Sequence, residues 1–225
     1  MEKSSGLVGI IANDSARYSL FSSCVTRLKL PEGFQLEWLI GGDWCGARNS
    51  LGEIMLKEGF DYLWFMDDDH AFSPDILMKL MRWDVPIVMP VCLTRVTPFA
   101  PVEFTKRIGE DKYLPIYLPD HGHEELVEVV AGGTAGMLIK REVFEAIPNT
   151  KEKPWFEYGS ASEDILFCNK ATEAGFKIYC DLSTRLGHIT TAVVWPTPHE
   201  DTWGVGFNIG RDTNIVVGIE AKEEV

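Results

Sequence analysis

The chain has 225 residues, of which 45% are hydrophobic and 24% are charged, so it is long enough to bury the core of one α/β domain. Its formal net charge of -13 disfavours broad, non-specific attraction to nucleic acid. No apolar run approaches the length of a membrane span, so we expect no stable membrane insertion. Five dispersed cysteines predict reduced thiols in a cytoplasmic protein, rather than a disulfide framework or a zinc site.

The first part of the chain alternates apolar strands with amphipathic helices. Strands are predicted at 7–12, 36–40, 62–66 and 86–91, and helices at 15–29, after the loop 41–49, and from the cap residues Ser73 and Pro74 through Arg82. This βαβαβαβ order predicts an α/β fold with a mostly parallel central sheet and helices on both faces.

The second part is less regular. Residues 94–125 contain several prolines and mixed charge, which predicts an irregular or hairpin excursion. We then expect two strands, at 126–131 and 135–139, on either side of the turn 132–134. A short helix at 141–147, a helix from Ser162 to about Gly175 and a last strand at 177–180 should follow. The segment from Trp195 to Asn214 shows no strand or helix period.

Three aspartates follow directly on the apolar strand in YLWFMDDDH (62–70). Ligands of open α/β sheets bind beyond the carboxyl ends of the strands, and adjacent carboxylates repel unless a cation joins them. Mg²⁺ takes carboxylate oxygens together with substrate phosphates. The cluster therefore predicts a metal-diphosphate site, and the alternative is a solvated acidic turn that caps the next helix.

Further candidate residues lie outside this cluster. Arg48 shares the apolar stripe of its helix with Leu51, so it either has an anionic partner or extends to solvent. Glu163 and Asp164 occupy the first turn of a helix, where they either face a substrate or only complement the helix dipole. A single histidine such as His188 is more often structural than a ligand.

Together these pieces resemble the GT-A glycosyltransferases, especially the family 2 type that uses nucleotide-diphosphate sugars. The matching stretches are GARN (46–49), FMDDD (65–69), GGTAGMLIKREVFEAI (132–147), SEDILFCNKATEAGFKIY (162–179) and LGHI (186–189). The resemblance extends from residue 7 to about residue 189. It implies a single-domain, Rossmann-like α/β fold with a mostly parallel central sheet, flanking helices and a small additional β element.

The resemblance implies roles for the acidic cluster. Asp67 and Asp69 would be the two acids of a DxD motif, with Asp67 also nearer the ribose and Asp69 binding Mn²⁺ or Mg²⁺. His188 would be a second metal ligand. Asp68 would contact the nucleotide, or would form a DxH pair with His70. The metal-binding pair is therefore either Asp67 and Asp69 or, one residue later, Asp68 and His70.

The resemblance also assigns the donor and acceptor sides of the site. Arg48 would lie close to the nucleotide. Either Glu163 or Asp164 would face the acceptor and, in an inverting enzyme, act as the general base. Three small residues would lie under the donor sugar, namely Gly133, Thr134 and Ala135.

One departure from the family pattern concerns the base of the nucleotide. The family usually has an acid at the end of its second strand, but here that strand ends in Gly41 and Gly42, and the next acid is Asp43. Asp14, after the first strand, is another candidate contact to the base or ribose. The sequence therefore does not identify the base of the nucleotide, and a UDP-sugar is the favoured donor.

The expected function is transfer of a sugar from a nucleotide-diphosphate sugar to an acceptor hydroxyl, with Mn²⁺ or Mg²⁺ as cofactor. One domain over 1–225 would comprise a nucleotide-binding half at 7–92, a half for acceptor and donor sugar at 93–189, and a tail at 190–225 that is either a lid or a fixed strap. The alternatives are a nucleotidyltransferase and a non-catalytic module that binds sugar nucleotides or carbohydrate.

The acceptor stays open between a glycan, a small molecule and a modified DNA base, and nucleic acid is not otherwise expected. We expect a cytoplasmic location, which is the host cytoplasm if the gene belongs to a phage.

Overall fold

A computed structural model describes residues 4–12, 18–110, 112–121, 125–200, 202–209 and 213–218. The elements before the excursion are β1 (Gly6–Ala12), α1 (Ser19–Arg27), β2 (Phe34–Ile40), α2 (Trp44–Glu58), β3 (Tyr62–Asp67), β4 (His70–Ala71), α3 (Ile76–Met81) and β5 (Ile87–Cys92). Those that follow are β6 (Phe104–Gly109), β7 (Lys112–Pro115), a 3₁₀ turn (Leu118–Asp120), β8 (Leu126–Val129), β9 (Leu138–Lys140), α4 (Arg141–Ala146), α5 (Glu163–Glu173), β10 (Ile178–His188), β11 (Ala192–His199), β12 (Thr202–Ile209) and β13 (Thr213–Gly218).

The central sheet has the strand order β2-β1-β3-β9-β5-β10-β4, with β8 paired to β10. Strands β1, β2, β3, β5 and β10 run in one direction, and β4, β8 and β9 run against them. The expected α/β architecture with a mostly parallel sheet is therefore confirmed. β6 and β7 form the hairpin that the irregular 94–125 segment predicted.

Helices cover both faces of the sheet, because successive residues of the buried strands point to opposite sides. One core joins Leu7 and Ile11 of β1 to the apolar sides of α2, α4 and α5. The other core joins Val8 and Ile10 to α1 and α3. No helix within the described ranges combines the length and apolar character needed to cross a bilayer.

Helix α2, which carries Arg48, has well-defined ends. Asp43 is its N-cap and accepts a hydrogen bond from the backbone N–H of Gly46 over 2.7 Å. Gly59 ends the helix in the left-handed region with φ of 84°, a conformation that glycine adopts without steric cost. These caps fix where the helix begins relative to the end of β2.

Several predicted boundaries are wrong. α3 begins at Ile76 with Asp75 as its N-cap, whereas Ser73 and Pro74 lie in the preceding turn. The strand predicted at 135–139 is the short β9 from Leu138, and the strand predicted at 177–180 continues to His188.

The tail has regular structure although its sequence shows no strand or helix period. β11, β12 and β13 form a separate three-stranded antiparallel sheet. Pro196 and Pro198 had obscured the period, but they lie on the edge strand β11, where the missing N–H groups are tolerated.

Candidate active site

A cleft of about 770 Å³ opens at the carboxyl ends of the parallel strands. This volume is typical of pockets that hold small molecules or cofactors. Its lining includes the end of β3, the first turns of α2 and α5, the small residues 132–135 and the end of β10. Segments that lie far apart in the sequence therefore meet in one cavity.

Arg48 crosses the floor of this cleft and is 3% exposed. Its Nη1 donates to Glu163 Oε1 over 2.6 Å, and its Nη2 lies 3.4 Å from Asp67 Oδ2 and 3.8 Å from Asp164 Oδ1. Burial lowers the pKa of Arg48, but the charges of the three acids outweigh burial and hold that pKa above its ordinary value. The predicted anionic partner is therefore present, and it is a set of three carboxylates.

Asp67 is the last residue of β3 and is partly buried, with its Oδ2 3.4 Å from Nη2 of Arg48. Burial raises its pKa above the ordinary value, although the nearby charge of Arg48 opposes this shift. Its Oδ1 is buried and has no hydrogen-bond partner among the described residues. An unpaired carboxylate oxygen at this position is available to a cation or to a ligand hydroxyl.

The small residues that precede β9 shape another wall of the cleft. Thr134 donates a short hydrogen bond from its hydroxyl to Asp164 Oδ1. Gly136 has φ of 81°, and a Cβ there would lie 2.7 Å from Pro90 Cγ, so only glycine fits. The Gly136 carbonyl accepts a hydrogen bond from the indole of Trp64 over 2.9 Å, which fixes this segment to β3.

Two histidines meet at the opposite wall, because β4 pairs with the end of β10. The antiparallel register places His188 opposite His70, and their rings stack with centroids 4.5 Å apart. Asp69 lies between the strands: its backbone carbonyl accepts from the N–H of Ile189, and its side chain faces both rings.

The protonation of His188 follows from its neighbours. Its Nδ1 lies 3.1 Å from the carbonyl of Leu93, which can only accept, so Nδ1 carries the hydrogen. Its Nε2 lies 3.2 Å from Asp69 Oδ2. With Nδ1 held by a backbone carbonyl, Nε2 is the ring nitrogen that a metal ion beside Asp69 would take.

Asp69 is the most heavily contacted acid of the cluster. Its Oδ1 lies 2.8 Å from His70 Nδ1, and its Oδ2 lies 2.9 Å from Nη1 of Arg95. Burial raises the pKa of Asp69, but its contacts with His188 and His70 outweigh burial and hold that pKa well below the usual range. Asp69 is therefore a carboxylate at neutral pH.

These residues fit a metal ion. His70 Nδ1 is buried and, despite its short distance to Asp69, has no well-directed hydrogen bond from any described residue. Two ligands bonded at about 2.1 Å to one ion lie about 3 Å apart at right angles, close to the separations of Asp69 from His70 and His188. In the described lining, five carboxylates face two guanidinium groups, so the cleft has room for a divalent charge.

Most predicted site residues line the cleft, and a few do not. Asp67, Asp68, Asp69, Arg48, Gly133, Thr134, Ala135, Glu163, Asp164 and His188 all do so. Asp43 instead serves as the N-cap of α2 and is absent from the described lining, while Asp14 lies outside the described residues.

Sequence reasoning missed three residues at or beside the cleft. Arg95 contacts Asp69, Cys92 lies near both histidines, and Glu103 accepts a hydrogen bond from the Cys92 N–H over 3.0 Å. Each belongs to, or depends on, the irregular excursion after β5, where no periodic pattern indicates which residues turn inward.

Comparison with solved structures identifies the class of fold. The crystal structure of A197 from STIV matches with a TM-score of 0.58 and 17% identity, over 97% of this chain and 100% of that one. The crystal structure of GalNAc-T7 with UDP, GalNAc and Mn²⁺ matches with a TM-score of 0.56 and 12% identity, over 84% of this chain and 44% of that one. This chain therefore has a GT-A-like fold, as its sequence motifs predicted.

This chain matches less than half of the length of GalNAc-T7. Neither the protein-family models nor the curated proteins gave a match.

Proposed function

We propose that this protein is a metal-dependent glycosyltransferase, which transfers a sugar from a nucleotide-diphosphate sugar to an acceptor hydroxyl. The main observation in support is that the acids at the end of β3, the small residues before β9 and the acids of α5 line one cleft of a GT-A-like fold. A UDP-sugar is the favoured donor. GalNAc-T7, which shares the fold, was crystallised with UDP and Mn²⁺.

Asp69, Asp67 and His188 are the proposed metal ligands. The alternative register pairs Asp68 with His70. The metal, when bound, neutralises charge on the leaving diphosphate. Mn²⁺ and Mg²⁺ are the expected ions. Arg95, paired to Asp69 over 2.9 Å and about half exposed, is free to exchange that carboxylate for a donor phosphate oxygen.

Asp164 is the better candidate for the general base. Glu163 is held by Arg48 over 2.6 Å, which ties its charge to a guanidinium. Asp164 lies farther from Arg48, at 3.8 Å, and is oriented by the hydroxyl of Thr134. Its second oxygen would accept the proton of the acceptor hydroxyl as that oxygen attacks the anomeric carbon. Glu163 and Arg48 would then position Asp164 and Asp67.

The walls of the cleft would hold and orient the donor. Gly133, Thr134 and Ala135 of the lining have no long side chain, so a sugar could approach this wall closely. Asp67, the last residue of β3, would lie nearer the ribose, and Asp68 would contact the nucleotide. Holding donor and acceptor in this arrangement supplies part of the rate enhancement through orientation.

A thermal-shift screen of nucleotide diphosphates and their sugars, with and without Mn²⁺, tests the proposal. A ligand that binds only the native state raises the melting temperature by mass action. We expect a shift with a uridine diphosphate that needs Mn²⁺, and slow Mn²⁺-dependent hydrolysis of the matching UDP-sugar. Binding without turnover on any acceptor would favour the non-catalytic module, and release of pyrophosphate from a nucleoside triphosphate would favour a nucleotidyltransferase.

The acceptor class and location remain part of the proposal. The acceptor is a glycan, a small molecule or a modified DNA base that carries a free hydroxyl. The cytoplasm is the proposed location, because the five buried cysteines are all free thiols.

A further inference from the structure

A cysteine lies beside the two histidines of the cleft. One ligand atom from each of His70, Cys92 and His188 lies within 4.8 Å of the other two. His70 and Cys92 are buried, and His188 is partly buried. The spacing of the cysteines along the chain had argued against a zinc site, but this cluster is assembled by the sheet and not by local spacing.

Strand pairing explains how the three residues meet. Cys92 ends β5 and lies opposite Leu186 of the parallel neighbour β10. Two residues farther along β10, His188 lies opposite His70 of β4. Because three strand ends of one sheet supply the three side chains, the cluster is held by backbone hydrogen bonds and not by flexible loops.

Cys92 and His188 share one backbone contact. The carbonyl of Leu93 accepts from the Cys92 thiol over 3.7 Å and from His188 Nδ1 over 3.1 Å, so both side chains converge on one backbone atom. Glu103 accepts from the Cys92 backbone N–H over 3.0 Å and fixes the end of β5. His188 therefore keeps Nε2 for a ligand, while its other nitrogen has the backbone partner that metal-bound histidines usually have.

The donor atoms differ from those that suit magnesium. Thiolate sulfur favours zinc and other soft or borderline metals, imidazole suits zinc, cobalt and nickel, and Mg²⁺ prefers six oxygens. Two imidazoles and one thiolate would give zinc three protein ligands, and a zinc site with three protein ligands keeps its fourth position for water or substrate.

We propose that Cys92 is a metal ligand together with His70 and His188, and that this site selects Zn²⁺ or Co²⁺ over Mg²⁺. The proposal goes beyond the proposed function, whose expected ions are Mn²⁺ and Mg²⁺, because it concerns which metals these three side chains bind; it rests on that function only for the role of the metal. Metal binding can be measured without any sugar nucleotide.

Titration of the metal-free full-length protein with Co²⁺ provides the direct test. Bonding of a thiolate to Co²⁺ gives a near-ultraviolet charge-transfer absorption band, which carboxylate and imidazole ligands do not give. We expect this band in the unaltered protein, and displacement of Co²⁺ by Zn²⁺ but not by an excess of Mg²⁺. We expect Cys92→Ser to lose the band and to bind Zn²⁺ at least about 10-fold more weakly, since even indirect contacts to a metal are worth that much.

Two further variants make the result specific. Cys24→Ser alters a similarly buried cysteine outside the described lining of the cleft, and it should keep the band and the Zn²⁺ affinity. His188→Gln leaves Cys92 in place but removes a second ligand, and it should also weaken Zn²⁺ binding. Circular dichroism of each variant confirms that the fold is retained.

Co²⁺ binding without the charge-transfer band would overturn the proposal, as would a band that survives in Cys92→Ser. Equal affinity of the unaltered protein for Mg²⁺ and Zn²⁺ would also overturn it. These outcomes are independent of catalysis. If the protein shows the band but transfers no sugar, the metal-site proposal holds and the proposed function fails. If it transfers sugar but shows no band, the proposed function holds and the metal-site proposal fails.

Discussion

Arg48 Nη1 donates a hydrogen bond to Glu163 Oε1 over 2.6 Å, and this contact joins α2 to α5 across 115 positions of the chain. The same guanidinium faces Asp67 and Asp164, so one buried cation holds three carboxylates at the floor of the cleft. Removing the guanidinium would leave three partly buried carboxylates unpaired, and removing the carboxylates would leave a buried guanidinium unpaired.

We predict that Arg48→Met destabilises the fold by about 3–5 kcal/mol, because it leaves three partly buried carboxylates without their cation. Arg48→Lys should cost less, since it keeps the charge but loses the forked geometry. Urea unfolding measures both. Arg107→Met, at an exposed position of β6, is the control and should change the free energy of unfolding by less than about 0.5 kcal/mol. An Arg48→Met variant as stable as this control would contradict the prediction.

Asp164→Asn should lower the rate of sugar transfer by about 10²–10⁴-fold while donor binding survives, as expected for loss of a general base. Glu163→Gln should act more through the position of Arg48 and should slow transfer less. Transfer kinetics with Mn²⁺ and a saturating donor measure both effects. Unchanged turnover in both variants would leave the pair as partners of Arg48 and of the helix dipole only.

Asp69→Asn should abolish the Mn²⁺-dependent thermal shift with a nucleotide diphosphate. Asparagine keeps the size of the side chain but cannot supply a charged oxygen to the metal. The metal-free variant should not be more stable than the unaltered protein, because the Asp69 carboxylate has a cationic neighbour in Arg95. A Mn²⁺-dependent shift of normal size in the variant would remove Asp69 from the ligand set.

We predict that Glu103 makes the free energy of unfolding depend on pH. It is 1% exposed, and burial raises its pKa from 4.5 to about 8. Between these values the folded state holds a proton that the unfolded state has released, so this residue makes stability fall as pH rises, by up to about 1.4 kcal/mol per pH unit. Glu103→Gln stays neutral and can still accept from the Cys92 N–H.

Thermal unfolding from pH 5 to pH 8 measures this effect of Glu103. We expect the melting temperature of the unaltered protein to fall relative to that of Glu103→Gln, with the variant the more stable at pH 8. Parallel curves for the two proteins would mean that Glu103 does not titrate in this range.

The tail gives a prediction about protease sensitivity. Only residues 189–191 separate His188 from β11, and the β11–β13 sheet begins beside the cleft with Trp195 53% exposed. If this sheet closes over bound donor and excludes water, cleavage within 195–214 should be fast in the free protein and slow with Mn²⁺ and the right nucleotide sugar. Asp69→Asn under the same conditions is the control and should stay sensitive. Equal protection in both states would support a fixed strap.

The sequence predicted the parts of the site that lie next to strong patterns. The apolar run of β3 locates Asp67 at a strand end, and the stripe of α2 shows that Arg48 points inward. These are local signals, because burial of one face leaves a period in the sequence. The partner of Arg48 could be given only as an acid, since the choice of Glu163 depends on how α5 packs on the sheet.

Other features depend on strand order and could not be read from the sequence. β10 continues past Asp181 through a register shift, where Asp181 accepts from Ser183 and Thr184. These polar residues interrupt the apolar pattern, so the sequence predicted a strand that ends at residue 180. Likewise, nothing in the spacing of Cys92 indicates that β10 and β4 would bring histidines beside it.

The position of β9 also determines when during synthesis the sheet can be completed. Ile139 pairs with Leu63 of β3 on one side and with Ile87 of β5 on the other. A nascent chain that has left the ribosome only as far as residue 137 therefore has two open strand edges in the middle of its sheet, where unpaired backbone groups invite association with other chains. Residues 7–92 thus cannot complete their sheet alone, because β9, which lies between β3 and β5, is translated much later.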